Sequence, residues 1–173
     1  MFYRGCKGGD GLFSVGDKVV YPMHGAGVIE AIEEKEILGA IKKYYVMKLP
    51  VGDMKVMIPM DSIIQVGLRE VVNKEMVEQV LGVLQDHQSE VSANWNRRYR
   101  DHLEKIKSGN ILDVAEVVRN LALRDRIKGL STGERKMLES AKQILISELI
   151  LVKDVNHDDI VSDLETIFSG YPN

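Results

Sequence analysis

The spacing of apolar residues changes near residue 68 and divides the chain into two parts. Before that point apolar and polar residues alternate with a period close to two, and β-branched residues are frequent, as in β-strands. Turn-forming residues such as Gly39, Pro50 and Gly52 separate the apolar segments. The pattern predicts five short strands, at residues 17–22, 27–37, 41–49, 53–59 and 62–67. Strands this short, joined by tight turns, favour a small Tudor-like (SH3-like) five-stranded β-barrel over residues 13–67.

After residue 68 the apolar residues recur every three or four positions, which is the spacing of one helix face. Each predicted helix begins at a side chain that can accept a hydrogen bond from a free backbone N–H group, namely Asn73, Asn94, Asn110, Ser131 and Asn156. The sequence STGE at 131–134 also has the spacing of a capping box. A bundle of about five α-helices is therefore expected over residues 70–169. The chain is predicted to be an α+β protein with two domains.

The composition is that of a globular protein. Hydrophobic residues make up 45% of the chain, which is enough for a core, and there is no run of 18 apolar residues of the kind that spans a membrane. The single cysteine, Cys6, lies in a glycine-rich segment, residues 1–12, that we expect to be a flexible leader. Because a lone cysteine forms no internal disulfide, we expect a reducing, cytoplasmic environment.

No grouping of residues predicts catalysis, a metal site or a cofactor. The four histidines, at positions 24, 87, 102 and 157, lie far apart and lack the spacing of metal ligands. The glycines in HGAG, residues 24–27, precede a predicted strand rather than a helix, which favours a turn over a phosphate-binding loop. We therefore expect a protein that is not an enzyme and that needs no cofactor.

Charge is distributed unevenly along the chain. The net charge is −3, yet residues 95–136 hold 11 basic and 6 acidic side chains. This block begins with NWNRRYR, residues 94–100, which places the only tryptophan among three arginines. A basic face of this kind attracts the phosphates of nucleic acid. A solvated helix face of mixed charge would have the same composition.

The position of Trp95 on its predicted helix leaves two interpretations open. On an ideal helix the stripe expected to face the core comprises Trp95, Tyr99, Leu103 and Ile106. Arg97 and Arg100 then face away from the core, and Arg98 lies on the flank of Trp95. The indole is either a core anchor or a half-packed side chain that contacts bases while the arginines bind phosphates.

Several long segments resemble the bacterial CarD/CdnL family of transcription regulators. They are FSVGDKVVYPMHGAGVIEAIE in the first part, and NWNRRYRDHLEKIKSGN, VAEVVRNL and GLSTGERKMLESAKQIL in the second. The resemblance extends from about residue 13 to about residue 168. It implies that residues 13–67 bind the β subunit of RNA polymerase by strand addition. It also implies that residues 70–169 contact promoter DNA and stabilise the open complex.

The resemblance also implies roles for individual residues. The tryptophan that wedges into the minor groove at the upstream edge of the melted bubble matches Trp95. With this match, we predict that one ring edge of Trp95 lies against the bundle and the other faces solvent. The basic contacts to promoter DNA match Arg97, Arg98, Arg100 and Arg135, with Lys136 adjacent. The polymerase-facing strand matches Lys55, Val56 and Met57, with Lys35 as a further contact. Since some members carry arginine at the position of Met57, we expect a more apolar and less salt-sensitive polymerase interface here.

A second function stays open, that of a protein–protein adaptor whose helices mediate oligomerisation without contacting DNA. We expect a monomer, while the segment near residue 68 would allow a dimer formed by strand exchange. We expect DNA contacts without strong sequence specificity, because no recognition helix stands out. An adaptor would bind polymerase and leave the DNA footprint unchanged.

Overall fold

The structure is a computed structural model that describes residues 12–88 and 91–173. Apart from residue 12, the expected leader lies outside the described residues. The elements follow one another as β1 (Lys18–Tyr21), β2 (Gly25–Ile37), β3 (Ala40–Lys48), β4 (Lys55–Pro59), α1 (Ile63–Val66), β5 (Arg69–Glu70), α2 (Lys74–Gln85), α3 (Trp95–Lys107), α4 (Ile111–Ile127), α5 (Thr132–Lys153) and α6 (His157–Ser169). The predicted α+β architecture is confirmed.

The β domain is one antiparallel sheet with the strand order β4-β3-β2-β1-β5, so that β4 and β5 are its edges. Its core contains side chains from β1 to β4, namely Val19, Ile29, Tyr45, Met47 and Ile58. Gly27 allows β2 to approach β3 closely, because a Cβ atom there would lie 2.5 Å from the carbonyl oxygen of Lys48. The predicted five-stranded β domain is confirmed.

The fifth strand does not lie where the sequence predicts it. Residues 62–67 were expected to be a strand, but the chain forms a 3-10 turn (Met60–Ser62) followed by α1. Gly67 ends α1 in the left-handed conformation, at φ 74°, and its N–H donates to the carbonyl of Ile63. The fifth strand is β5, which pairs with β1. The predicted position was wrong because a run of four apolar or amide residues is too short to distinguish a strand from one helical turn, which Gly67 ends here as a C-cap.

The helical domain begins each of its five helices at the predicted cap. The cap side chains of Asn73, Asn94, Asn110, Ser131 and Asn156 all accept a hydrogen bond from a backbone N–H in the first turn. Helix α4 packs against α2, α3 and α5. The centre of the core is formed by fully buried residues of α4 and α5, including Val118, Leu121, Ala141 and Leu145. These residues belong to the stripes that the period of 3.6 predicts.

Helix α5 joins the two domains. The Ser147 hydroxyl accepts a hydrogen bond from the backbone N–H of Ala26 on β2, at 2.8 Å. Glu148 accepts two hydrogen bonds from the Arg69 guanidinium, at 2.8 and 2.9 Å, and Arg69 also donates to the carbonyl of Gly109. We call these five residues the domain junction. Since Arg69 of β5 is bonded to Glu148 of α5, the segment near residue 68 is joined to the helical domain.

Candidate nucleic-acid interface

Trp95 is the first residue of α3, and its indole contacts the start of α5. The indole Nε1 donates to Ser131 Oγ at 3.2 Å, and Ser131 is the N-cap of α5. The ring stacks on Tyr99, with 5.2 Å between ring centroids and 24° between planes. Trp95 is nevertheless 44% exposed. The prediction of an indole that is partly packed and partly open to solvent is therefore confirmed.

The buried face of α3 differs from the predicted stripe. Its fully buried residues are Arg98, His102 and Ile106, whereas Tyr99 and Leu103 are only partly buried. The stripe of apolar residues and the buried face of α3 therefore do not coincide. The reason is that an arginine and a histidine occupy two of the inward positions. Polar side chains on the buried face hide that face from any analysis of hydrophobic spacing.

Arg98 is buried inside the protein, which corrects the expectation that it contacts DNA phosphates. Its side chain is 2% exposed, and its Nε donates to Glu134 Oε1 at 2.7 Å. Its Nη1 donates to the carbonyls of Ser92 and Ala93, at 2.9 and 3.2 Å. A buried guanidinium needs such partners to offset its desolvation. Arg98 therefore connects the segment before Trp95 to α5 and does not belong to the exposed basic surface.

Glu134 is the partner that makes this burial possible. Its carboxylate completes the capping box by accepting from the backbone N–H of Ser131, at 3.2 Å. Burial alone would raise the pKa of the Glu134 carboxyl, but the hydrogen bonds from Arg98 and Ser131 and the charge of Arg98 lower it overall. The Nε of Arg124 lies 3.6 Å from the same carboxylate. Glu134 is therefore ionised at neutral pH.

The other predicted DNA contacts are exposed near the two helix starts. Arg97 lies in the first turn of α3, and Arg135 and Lys136 lie in the first two turns of α5. Arg97 pairs with an aspartate of α3, and Arg135 pairs with an aspartate of α4. Both ion pairs are 3.9 Å long and solvent-exposed, so they hold these arginines weakly. We define the Trp95 surface as Trp95, Arg97, Arg100, Arg135 and Lys136.

His102 is buried beside Arg98 on the inner face of α3. It is 2% exposed, and neither ring nitrogen has a hydrogen-bond partner. Burial, together with the charges of Lys105 and Arg98, lowers the pKa of His102 to about 4. The ring is therefore neutral at physiological pH. Sequence analysis found only that this histidine lacks metal-ligand spacing.

The predicted polymerase contacts lie on the β domain. Strand β4 carries Lys55, Val56 and Met57. Among the described residues, β4 pairs with β3 on one side only, so its other side is an open edge of the sheet. Val56 and Met57 are half-buried, and Lys55 is exposed and pairs with Glu30 at 2.9 Å. The hydrogen bond with Glu30 raises the pKa of Lys55. Lys35 is exposed on β2, two strands away from β4.

Sequence analysis gave Ser131 and Glu134 only a capping role. The capping box was the available signal, and it located the start of α5 correctly. Nothing in the box identifies Trp95 or Arg98, each 36 residues away, as a partner.

Within the described part of the chain, no group of three His, Cys, Asp or Glu side chains could hold a metal ion. None of the described helices has the length and apolar character needed to cross a membrane.

Comparison with known proteins agrees with this two-part architecture. Residues 13–72 match the family model described as CarD-like/TRCF RID domain, and residues 79–165 match the model described as CarD, C-terminal domain. The chain is also 41% identical, over 151 residues, to the Bacillus subtilis (strain 168) protein named "Putative transcription factor YdeB". That alignment covers 87% of this chain and 99% of the relative. The chain therefore belongs to the CarD family of transcription factors.

Proposed function

We propose that this protein binds RNA polymerase through its β domain and stabilises the open promoter complex with the Trp95 surface. The observation that carries the proposal is the indole of Trp95, which is packed on Tyr99, bonded to Ser131 and still 44% exposed. Tryptophan and arginine are both enriched where a protein surface binds a partner, so an exposed indole beside arginines is typical of a binding surface. A DNA fork offers both unstacked bases for the indole and phosphates for the arginines.

The wedge role fits the energetics of a melted junction. Inserting an apolar side chain between stacked bases costs a few kcal/mol in closed duplex, and that cost is smaller where the bases are already separated. An indole held against Tyr99 and Ser131 loses little further conformational entropy on binding, because it is ordered beforehand. We infer that Trp95 acts at the edge of the bubble and slows its closure.

Phosphate contacts are proposed for Arg97, Arg100, Arg135 and Lys136. All four are exposed, and the N-termini of α3 and α5 add positive electrostatic potential to the same region. Such contacts are independent of sequence and weaken as salt is added. We therefore propose DNA binding without strong sequence specificity. Arg98 is not included, because its guanidinium is buried and bonded to Glu134.

Strand addition at β4 is the proposed mode of polymerase binding. The strand is at the edge of the sheet, and an edge offers backbone N–H and C=O groups to a further strand. We place Lys55, Val56, Met57 and Lys35 at or near this interface. With methionine in place of arginine, the interface has less ionic character. We expect Met57→Arg to make the affinity for polymerase more dependent on salt, with a change in slope measured by titration at several salt concentrations.

Tethering explains how a few weak DNA contacts suffice. Polymerase binding by the β domain raises the effective concentration of the helical domain at the promoter. The gain requires a defined geometry between the domains, and α5 supports it by bonding to β2 and β5 at the domain junction. No protein–protein adaptor function is needed to explain the exposed indole.

The test is the lifetime of open complexes challenged with competitor, with the wild-type protein and with Trp95→Ala. Stacking on one base contributes about 1–3 kcal/mol, so the variant should lose most of the lifetime extension. The matched control is Ile64→Ala, which removes an exposed apolar side chain from α1. Equal lifetimes with Trp95→Ala and the wild type would contradict the wedge. A shortened lifetime with Ile64→Ala would show that the effect is not specific to the indole.

A further inference from the structure

The buried ion pair between Arg98 and Glu134 lies directly behind the exposed indole. Both side chains are 2% exposed, and two nitrogens of the guanidinium, Nε and Nη2, are each 2.7 Å from Glu134 Oε1. A carboxylate and a guanidinium buried together are costly to desolvate and are often replaceable by apolar residues without loss of stability. Overall stability alone therefore does not account for this pair.

Each member of the pair is bonded to a segment that positions Trp95. On the α3 side, Arg98 donates to the carbonyls of Ser92 and Ala93, which precede the helix and set where it begins. On the α5 side, Glu134 accepts from the backbone N–H of Ser131. One guanidinium nitrogen, Nη1, therefore holds the segment before Trp95, and the other two, Nε and Nη2, hold the start of α5.

The same cap of α5 also holds the indole. Ser131 Oγ accepts one hydrogen bond from the backbone N–H of Glu134 and one from Trp95 Nε1, each 3.2 Å long. A Cβ atom at Gly133 would lie 3.5 Å from the Tyr99 ring and 3.8 Å from the indole, so the first turn of α5 is in contact with both rings. A shift of α5 relative to α3 would therefore displace the indole and its hydrogen-bond acceptor together.

We propose that Arg98 and Glu134 are positioning residues for Trp95, and that their ion pair sets the orientation of the indole and its distance from Arg135. The proposal rests on the proposed function, since positioning matters only if Trp95 contacts DNA. The pair keeps the wedge from α3 and the cations from α5 on one rigid surface. Without it, the indole would lose its fixed orientation and become more accessible to solutes.

The central variant is Glu134→Gln, because glutamine also forms a capping box and so removes the charge while keeping the cap. This change leaves Arg98 buried without a counter-ion, so a second variant, Arg98→Met with Glu134→Gln, removes both charges and protects the fold. The matched control is Glu139→Gln, the same substitution at an exposed position of α5. All variants are made in the full chain.

The first measurement is the fluorescence of Trp95, which is the only tryptophan of the chain. We expect lower anisotropy and an acrylamide quenching constant about twice that of the wild type in both test variants, as expected for an indole freed from one of its contacts. The double variant should keep its cooperative thermal transition. The control should match the wild type. Unchanged anisotropy and quenching in the folded double variant would overturn the proposal.

The second measurement is open-complex lifetime with polymerase. The extension produced by the double variant should fall by about fivefold, the factor expected when one more side chain must be immobilised on binding. The salt dependence of DNA binding should not change, because Arg97 and Arg135 remain. A full lifetime extension with a mobile indole would overturn the proposal.

The two hypotheses fail in distinguishable ways. If Trp95→Ala also leaves the lifetime unchanged, the proposed function itself is wrong. If Trp95→Ala shortens the lifetime and the double variant does not, the wedge stands and the positioning role of Arg98 and Glu134 is rejected.

Discussion

Helix α5 carries two buried carboxylates, Glu134 and Glu148, and both are ion-paired with an arginine from another element. They are 14 residues apart, which is about 21 Å along the helix axis. Glu134 pairs with Arg98 of α3 beside the indole, and both members of this pair are 2% exposed. Glu148 pairs with Arg69 of β5 at the domain junction, where the arginine is 30% exposed. One helix therefore connects the Trp95 surface to the β domain through two ion pairs of unequal burial.

The difference in burial indicates different tolerance to change at the two ends. Both arginines keep carbonyl acceptors when the carboxylate is lost, but Arg69 also reaches solvent, so water can partly replace its partner. Arg98 has no comparable access to water. We infer that the end near Trp95 is a closed polar network, whereas the domain junction can adjust by rehydration. The end that carries the Trp95 surface is then the more rigid of the two.

The largest expected effect comes from removing each carboxylate in turn. Glu134→Ala should lower the free energy of unfolding by about 3–5 kcal/mol, because it leaves Arg98 buried without a counter-ion and breaks the capping box. Glu148→Ala should lower it by about 2–3 kcal/mol, because the partly exposed Arg69 regains water. Urea denaturation measures both values.

Glu139→Ala is the control for these two variants, since Glu139 is exposed on the same helix and should change stability by less than about 0.5 kcal/mol. If Glu148→Ala lowers the free energy of unfolding as much as Glu134→Ala does, or more, the proposed difference between the two ends of α5 is contradicted.

The second prediction concerns pH and sharpens the comparison, because the charges of Arg98 and Glu134 act on the pKa of His102. Its pKa is about 4 in the folded protein, against 6.5 for an unperturbed histidine. Between these values the unfolded chain binds a proton that the folded chain does not, so stability falls as pH falls from 6.5 to 4. The loss from this residue should reach about 3 kcal/mol.

His102→Leu should remove that part of the pH dependence. At pH 7 the free energy of unfolding of the variant should equal that of the wild type or exceed it by about 1 kcal/mol. The reason is that two buried nitrogens without partners are eliminated. Urea midpoints measured from pH 7 to pH 4 give the result. Parallel pH profiles for the two proteins would show that His102 does not titrate as described.

A smaller effect is expected at the domain junction from Ser147→Ala. The substitution leaves the N–H of Ala26, a fully buried residue, without its acceptor. Such a group costs about 1–2 kcal/mol, and the loss should appear in the free energy of unfolding with the indole fluorescence unchanged. A change in Trp95 anisotropy would instead indicate that the two ends of α5 are coupled more tightly than proposed.

The smallest expected effect concerns salt. Replacing Arg97 and Arg100 together by glutamine should lower the slope of log affinity against log salt by about 1.8, or 0.9 for each phosphate contact. Lys107→Gln, at the far end of α3, should leave the slope unaltered. DNA binding by each variant is measured at four or more salt concentrations. An unaltered slope in the double variant would exclude these arginines as phosphate contacts.

The features that sequence predicted well depend on local interactions. The five N-caps and the apolar stripes of α4 and α5 follow from hydrogen bonds within one turn and from a repeat of 3.6 residues. The partial exposure of Trp95 did not follow from the spacing alone, which left a core anchor equally open, and it was predicted once the family resemblance was added.

The features that sequence missed depend on contacts between distant residues. Arg98 and Glu134 are 36 positions apart, and Arg69 and Glu148 are 79 apart, so no local pattern joins them. The family resemblance implied a DNA contact for Arg98, and the opposed carboxylate of Glu134 instead makes its burial favourable. Likewise, β5 is a strand because β1 offers it an edge, and two residues are too few to show an alternating pattern.

The most direct test of the proposed function is promoter footprinting with purified polymerase, with and without this protein. A protein tethered by its β domain, with the Trp95 surface at the fork, should extend protection at the upstream edge of the bubble. Trp95→Ala should bind polymerase and lose that extension. If the wild-type protein binds polymerase and leaves the footprint unchanged, the helical domain does not contact promoter DNA and the adaptor function is the correct one.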